Sequence, residues 1–281
     1  QDILKSYDRK LDQRLFSDID LRYVRGFDMF LQKRGCCGNT RKFYFKALRA
    51  ILNRANAEGV GSVATYPFGR GGFEVSKLEE ATAKRYLPAA ELSKLKSTPA
   101  SNPQCDYARK LCLFSYYCYG ISFIDMAMLT AAQIKQMEDG DYIVYKRQKI
   151  KRQKGVKPIS IKITPAIRQL IGSLQAASPT VDDFLLPIVT RSGYTGERLY
   201  MHIRARYSKY QKYLRLLAEE LGIDFHLTSY VSRHTAAMTL QRNNIPREVI
   251  SQMLGHADLE TTNIYLDSFD NEVINEAAKV L

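Results

Sequence analysis

Residues 246–265 read Pro246-Arg247-Glu248-Val249-Ile250-Ser251-Gln252-Met253-Leu254-Gly255-His256-Ala257-Asp258-Leu259-Glu260-Thr261-Thr262-Asn263-Ile264-Tyr265. Pro246 suits the first turn of a helix, where its missing N–H is not needed. The apolar stripe of that helix consists of Val249, Ile250, Met253 and Leu254. Gly255 can end the helix in the left-handed conformation, and Asp258 can cap a second short helix that carries Tyr265. The stretch therefore predicts His256 and Tyr265 on consecutive short helices joined by a tight corner.

A second informative stretch lies upstream and reads Thr228-Ser229-Tyr230-Val231-Ser232-Arg233-His234-Thr235-Ala236-Ala237. On a helix, residues three apart are neighbours, so Tyr230 and Arg233 are predicted to share one face. Taken alone, His256 could simply follow a helix end and Tyr265 could be a packing residue. The presence of both stretches, in this order, favours a joint functional site.

Composition points to a large anionic partner. The chain has 281 residues, enough for one large or two ordinary domains, with a formal net charge of +13 and a pI of about 9.4. Nucleic acid is the commonest such partner, although a protein that binds a membrane surface would also be basic. No apolar run of about 18 residues and no N-terminal signal sequence is visible. We therefore expect a soluble protein of a DNA-containing compartment, the bacterial cytoplasm, without a membrane partner.

Neither a metal nor a cofactor is expected. The five cysteines form no Cys-x-x-Cys pair, and the four histidines do not cluster with them at metal-ligand spacing. The chain also has no Walker loop and no DxD-type acidic cluster. These patterns predict reduced thiols and a chemistry that side chains perform alone.

The pattern along the chain predicts a mainly α protein with a small antiparallel β-sheet. Residues 1–14 are polar and are interpreted as a linker from a longer parent. Helices are predicted over 17–35 and 39–59, the second with Tyr44, Leu48, Ile51 and Ala55 in line. The segment 66–72, with its proline and glycines, is loop-like and places the domain boundary between 1–75 and 76–281.

In the second domain, Ser122 and Asp125 have the form of a capping box for a helix extending to Lys135. Alternating isoleucines and strand-forming residues over 142–163 predict a hairpin, and Thr164-Pro165 then begins another helix. The hairpin tip holds seven basic residues and no acid between Lys146 and Lys157. Such a run is as often a solvated tip as a phosphate contact.

The two stretches resemble the catalytic boxes of the tyrosine recombinases, the phage-integrase family. Leu254-Gly255-His256, the Thr-Thr pair and Tyr265 are similar to the last box of that family. The upstream stretch is similar to its His-x-x-Arg-His-Thr box, with Tyr230 where the first histidine usually stands. Residues 1–75 more weakly resemble the helical core-binding, SAM-like domain, through Asn39-Thr40 and the helix 48–55.

This resemblance implies cleavage of a DNA strand through a 3′-phosphotyrosyl intermediate, without metal or ATP. It assigns Tyr265 as the nucleophile, Arg233 and His256 as donors to the scissile phosphate, and Tyr230 as a further donor. A lysine of the hairpin tip, Lys149, becomes the general acid, with two rivals, Lys151 and Lys154. The predicted DNA contacts are Arg41, Lys42, Lys146, Arg147, Lys151, Arg152 and Lys154.

One departure from the family pattern concerns its first arginine. Ser122 or Tyr119 stands at that position, depending on the register, as in the Bacteroidetes-type integrases that lack this residue. Ser122 is better explained as a helix cap. Loss of one transition-state donor lowers a rate by about 10²–10³. The enzyme is then slow, or uses another cation, for which Arg147 is the candidate, or retains only DNA binding.

The leading hypothesis is a site-specific recombinase or integrase that acts on double-stranded DNA as a homotetramer and is a monomer when free. The alternatives are a DNA-binding relative that does not cut, and a topoisomerase-like enzyme without strand exchange. An RNA-binding protein would explain the charge but not the spacing of Arg233, His256 and Tyr265.

Overall fold

A computed structural model describes residues 2–80, 86–256, 262–263 and 266. The chain forms two compact units, Gln1–Ala83 and Lys84–Leu281. Its fold is mainly helical with one three-stranded antiparallel sheet, which confirms the predicted fold class. None of the helices in these described ranges combines the length and the apolar character needed to cross a membrane.

The first unit is built on three helices, α1 (Asp2–Tyr7), α2 (Leu21–Lys33) and α3 (Gly38–Ala57). Asp20 caps α2, because its side chain accepts a hydrogen bond from the backbone amide of Tyr23 at 2.8 Å. The Tyr7 ring lies 5.3 Å from the ring of Phe27 in the core of this unit. The interpretation of residues 1–14 as a linker was therefore wrong, because α1 packs on α2.

In two turns of α3, the buried residue lies one position after the predicted one: Phe45 is buried instead of Tyr44, and Leu52 instead of Ile51. The side chains that α3 buries are Phe45, Leu48, Leu52 and Ala55, whereas Ile51 is 55% exposed. Phe45 meets Phe27 of α2 edge to face at 5.5 Å, and this contact sets the rotation of the helix. The predicted stripe and the observed stripe both have helical spacing, so periodicity alone could not choose between them.

The second unit contains seven helices and the sheet among its described residues. In chain order these are α4 (Ala89–Ser97), α5 (Pro103–Tyr117), α6 (Phe123–Ala127), β1 (Ile134–Met137), β2 (Gly140–Tyr145), β3 (Ile159–Lys162), α7 (Pro165–Ala177), α8 (Gly196–Glu220), α9 (Ser229–Arg242) and α10 (Arg247–Leu254). Ile143 of β2 lies opposite Ile134 of β1 and Ile161 of β3, and it is fully buried. The sheet thus presents one apolar face to the helices.

The predicted helix to Lys135 was wrong, because α6 ends at Ala127 and β1 begins at Ile134. The backbone after α6 pairs with a distant segment instead of continuing the helix. The Leu185 amide donates to the Leu129 carbonyl at 2.8 Å, and the Ala131 amide donates to the Asp183 carbonyl at 3.0 Å. These long-range hydrogen bonds satisfy the groups that a longer helix would have used.

Candidate functional site

Arg233 is the centre of the candidate site. It lies on α9 and is only 4% exposed. Its Nη1 donates to the Gly120 carbonyl at 3.0 Å, and its Nη2 donates to the Leu254 carbonyl at 2.6 Å. The same Nη2 lies 2.9 Å from Nε2 of His256. The predicted partnership of Arg233 and His256 therefore exists in the fold, across 23 residues of sequence.

The contact with Arg233 determines the tautomer of His256 in this arrangement. A guanidinium has only donors, so His256 Nε2 must accept and its Nδ1 carries the proton. That Nδ1 lies 2.8 Å from the hydroxyl of Thr262, which is buried and can accept. Thr262 belongs to the Thr-Thr pair of the sequence, and it orients the imidazole. To donate to a phosphate, Nε2 must gain a proton or exchange its tautomer.

The turn after α5 holds the guanidinium in place. Tyr119 and Gly120 both have positive φ, +58° and +72°, so the chain folds back sharply towards α9. The Ser115 hydroxyl donates to the Ile121 carbonyl at 2.8 Å and lies 2.8 Å from the hydroxyl of Ser232. These hydrogen bonds tie the turn to α9, where Ser232 precedes the arginine. Sequence reasoning did not identify this role of Ser232.

Gly120→Ala is expected to destabilise the chain by about 2–4 kcal/mol. A methyl group at this position would lie 2.5 Å from Cα of Arg233, and the left-handed conformation adds strain of about 1–2 kcal/mol. Gly193→Ala is the matched control, since Gly193 has the same φ of +72° with no atom within 4 Å of the added methyl. Urea unfolding of the full chain measures both variants. Equal losses for the two would contradict the proposed close approach of Gly120 to Arg233.

A cavity of about 390 Å³ opens beside Arg233. Its walls come from the turn after α5, from α6, α8 and α9, and from the segment after β2. The lining residues are Gly120, Ser122, Phe123, Ile124, Arg147, Tyr200, Ile203, Arg204, Tyr207, Ser229, Tyr230 and Arg233. Tyr230 shares this cavity with Arg233, as their spacing predicted, and its side chain is 53% exposed. The wall from α8, with Tyr200 and Tyr207, was not predicted.

The predicted capping box of Ser122 and Asp125 meets the segment after β2 at one edge of the cavity. The Ser122 hydroxyl donates to Asp125 Oδ2 at 2.6 Å and also caps α6, as predicted. The other oxygen of Asp125 accepts a hydrogen bond from the backbone amide of Gln148 at 2.6 Å. This clamp places Arg147 on the cavity wall, where its Nη1 donates to the Gly255 carbonyl at 3.1 Å. The contact between Asp125 and Gln148 was missed, because it spans 23 residues.

Tyr145 and Cys118, two buried groups behind the site, stay neutral. Burial raises the pKa of Tyr145, the Asp125 carboxylate raises it further, and Arg233 opposes this shift. Burial alone raises the pKa of the Cys118 thiol. Neither group is therefore an acid or a base at neutral pH.

The predicted DNA contacts at the hairpin tip are exposed, except for Arg147, which is half-buried. Lys146, Lys149, Lys151, Arg152 and Lys154 are exposed in the connection between β2 and β3. Lys146, Lys151 and Arg152 line an open groove together with Tyr145 and Pro158. The basic residues that line the Arg233 cavity are instead Arg147, Arg204 and Arg233. The role of Lys149 as general acid stays a prediction.

In the first unit, the two predicted contact residues form ion pairs. Arg41 pairs with Asp28 at 2.9 Å and Lys42 pairs with Glu79 at 2.7 Å, and both basic side chains are 16% exposed. Lys42 also lines a groove with three further basic residues, Lys46, Arg49 and Arg70. Contacts from Arg41 and Lys42 to DNA stay predictions, and Arg70 is a member of the groove that sequence reasoning missed.

Tyr265 and the predicted cap Asp258 lie outside the described residues. The predicted end of the helix before His256 is confirmed: α10 ends at Gly255, which is in the left-handed conformation with φ of +63°. Ile250 and Leu254 of its apolar stripe are fully buried, whereas Val249 is 44% exposed. His256 follows directly, so the corner places the imidazole at Arg233.

Comparison with protein families agrees with this geometry. The Phage integrase family matches residues 85–272, and the Phage integrase SAM-like domain matches residues 1–74. The chain is 23% identical over 202 residues to tyrosine recombinase XerD of Shewanella oneidensis, a match that covers 69% of this chain and 62% of that protein. It is 31% identical over 114 residues to tyrosine recombinase XerC of Rhodospirillum centenum, covering 41% and 31%. The matches span less than two thirds of either relative.

Solved structures share the fold. The Tn1549 transposon integrase in complex with transposon right end DNA has a TM-score of 0.68 at 12% identity, covering 99% of this chain and 92% of that one. The lambda integrase dimer bound to a COC′ core site has a TM-score of 0.63 at 15% identity, covering 96% and 90%. Since a family model matches well over half of the residues, the chain belongs to the phage integrase family.

Proposed function

We propose that the protein is a site-specific DNA recombinase that cuts and rejoins strands through a 3′-phosphotyrosyl intermediate. The observation that carries this proposal is the buried Arg233 guanidinium in contact with His256 at the edge of a cavity of about 390 Å³. A buried guanidinium that faces a cavity suits a bound phosphate, because it offers paired donors and its charge is poorly screened there.

The proposed reaction joins the Tyr265 oxygen to the phosphorus and breaks the bond from phosphorus to the 5′-oxygen. The tyrosine loses its proton to solvent water during attack, and Lys149 donates a proton to the leaving 5′-oxygen. Negative charge grows on the non-bridging oxygens, where Arg233 and His256 are placed to act, with the Tyr230 phenol as a further donor. The ester bond energy is retained, so that a second 5′-hydroxyl reverses the step on a new partner.

Two basic surfaces support a DNA partner. One is the groove of the first unit with Lys42 and Arg70, and the other is the hairpin tip with Lys146, Lys151 and Arg152. Related folds have been solved on transposon and core-site DNA, in the Tn1549 and lambda integrases.

We assign residues 1–75 as the core-binding domain and 76–281 as the catalytic domain. The protein is a monomer when free and a homotetramer on two duplexes in the bacterial cytoplasm.

Covalent capture tests this function without knowledge of the natural site. The full chain is incubated with duplexes that carry one central nick and randomised flanks, and the mixture is then denatured. A nick lets the cleaved fragment diffuse away, so an active enzyme accumulates a covalent adduct. We expect adducts enriched for one family of sequences, with a 3′-phosphate attached to the peptide that contains Tyr265, as determined by mass spectrometry.

A second candidate function is DNA binding without cleavage, and Ser122 is the observation that favours it. In one of the two registers the serine stands where the family carries an arginine, with Tyr119 there in the other, and the Ser122 hydroxyl donates to Asp125. Enrichment of bound duplexes without any covalent adduct would establish this candidate and overturn the enzymatic proposal. Adducts that map to a residue other than Tyr265 would overturn the assigned nucleophile.

A further inference from the structure

Two guanidinium groups bind neighbouring carbonyls at the end of α10. Arg233 donates to the Leu254 carbonyl at 2.6 Å, and Arg147 donates to the Gly255 carbonyl at 3.1 Å. His256 is the next residue of the chain. Both arginines also line the same cavity. Arg147 comes from the segment after β2, so two elements far apart in sequence deliver two positive charges to one wall.

Arg147 is held there by a dedicated set of contacts. Asp125 is 3% exposed, and its two oxygens accept the Ser122 hydroxyl and the Gln148 amide. The carboxylate therefore joins the first turn of α6 to the residue that directly follows Arg147. A methyl group at Gly255 would meet the Ile159 side chain first and would lie 3.1 Å from Cδ of Arg147, so the missing side chain makes room for both neighbours.

A single guanidinium neutralises only part of the negative charge that develops on the phosphate during the reaction. As the tyrosine attacks, negative charge spreads over two non-bridging oxygens, and bidentate contacts from two sides neutralise it best. The family pattern supplies that second group from the position of Ser122 or Tyr119, depending on the register, and neither residue is a cation here. Ser122 and Arg147 line the same cavity, and one carboxylate, that of Asp125, contacts Ser122 and the residue after Arg147.

We propose that Arg147 is the second guanidinium of the catalytic site, in place of the first arginine of the family pattern, which this chain lacks. Asp125 is the residue that positions it. The inference rests on the proposed strand cleavage. It gives Arg147 a role in the chemical step rather than only in DNA affinity. A guanidinium has five N–H donors, and the contact with Gly255 uses one of them, so others are available to a phosphate oxygen.

The test separates charge neutralisation from structure by changing the phosphate. A duplex recovered by capture is prepared with a native scissile phosphate and, in a second version, with a methylphosphonate, which has a methyl group in place of one non-bridging oxygen and no negative charge. Cleavage is timed at saturating protein, so that differences in affinity do not contribute. Arg147→Ala is expected to slow cleavage of the native linkage by about 10²–10³-fold. On the neutral linkage the same variant is expected to lose less than about tenfold, because there is less charge to neutralise.

Two basic neighbours provide matched controls. Arg204 lines the same cavity from α8 but is exposed, and Lys146 is exposed beside Arg147 in the chain. Arg204→Ala and Lys146→Ala are expected to weaken DNA binding and, at saturating protein, to slow the two linkages by equal factors, because neither side chain is proposed to neutralise the scissile phosphate. Asp125→Asn is expected to slow the native linkage selectively, and to add little when combined with Arg147→Ala, because both act on one group.

The outcomes are decisive. The proposal is overturned if Arg147→Ala cuts the native linkage at the wild-type rate, or if it slows both linkages equally. Should Arg147→Ala fail to fold, Arg147→Gln keeps an amide donor for the Gly255 carbonyl without the charge, and must show the same selective loss. Failure of the proposed function itself is a different result, in which the wild-type protein forms no adduct at all.

Discussion

Tyr265→Phe is expected to abolish covalent adduct formation while leaving DNA affinity within about twofold. The variant lacks only the phenolic oxygen, which is the atom proposed to bond to phosphorus, and no other group of the site can replace a positioned nucleophile. The basic surfaces that would hold the duplex are unchanged by this substitution. The adduct is measured on denaturing gels, and affinity by titration of the same duplex at fixed salt.

Tyr200→Phe is the matched control for this experiment. Tyr200 is an exposed phenol that lines the cavity beside Arg233, so it shares the surroundings but not the proposed role. We expect it to form the adduct at a rate within about tenfold of the wild type, since at most one weak donor is lost. Persistent adduct in Tyr265→Phe would show that a different residue attacks.

Arg233→Met is expected to lower the cleavage rate by about 10³-fold or more and stability by about 2–4 kcal/mol. Methionine fills the stem volume but removes the donors to Gly120 and Leu254 and the contact with His256. The carbonyls that lose their partners account for the loss of stability. The loss of the positive charge beside the phosphate accounts for the loss of rate. Urea unfolding and single-turnover cleavage at saturating protein measure the two effects.

Arg109→Met separates these two effects. Arg109 is also a buried arginine of the second unit, and it donates to Asp106 and to the Leu95 carbonyl. Its loss is expected to destabilise the chain by a similar amount, with cleavage nearly unchanged at a temperature where the variant is folded. If the two variants slowed cleavage equally, Arg233 would be structural and its assignment to the phosphate would be lost.

The helices with clear end signals were predicted well. Thr164 and Pro165 begin α7, and Gly255 ends α10, each through a local interaction that neighbouring residues specify. The pairing of Tyr230 with Arg233 in one cavity follows equally from helical spacing. Such signals span at most a few residues, which is why a single sequence reveals them.

The errors occur where distant groups compete with local preference. The helix predicted to Lys135 was interrupted because Leu129 and Ala131 pair with the segment 183–185. Ile51 proved exposed because the rings of Phe27 and Phe45 set the rotation of α3. Both competing arrangements satisfied the local pattern, and only long-range packing distinguished them.

The sequence by itself determined the mainly helical fold, the family, and the motifs that contain Arg233, His256 and Tyr265. Tertiary structure alone brought the segment after β2 and the first turn of α6 to the guanidinium that Tyr230 and His256 were already predicted to accompany. It brought Arg147 to the Gly255 carbonyl, closed Asp125 on the amide of Gln148, and set the tautomer of His256. These contacts join elements 23 to 108 residues apart, and no local periodicity encodes such a distance.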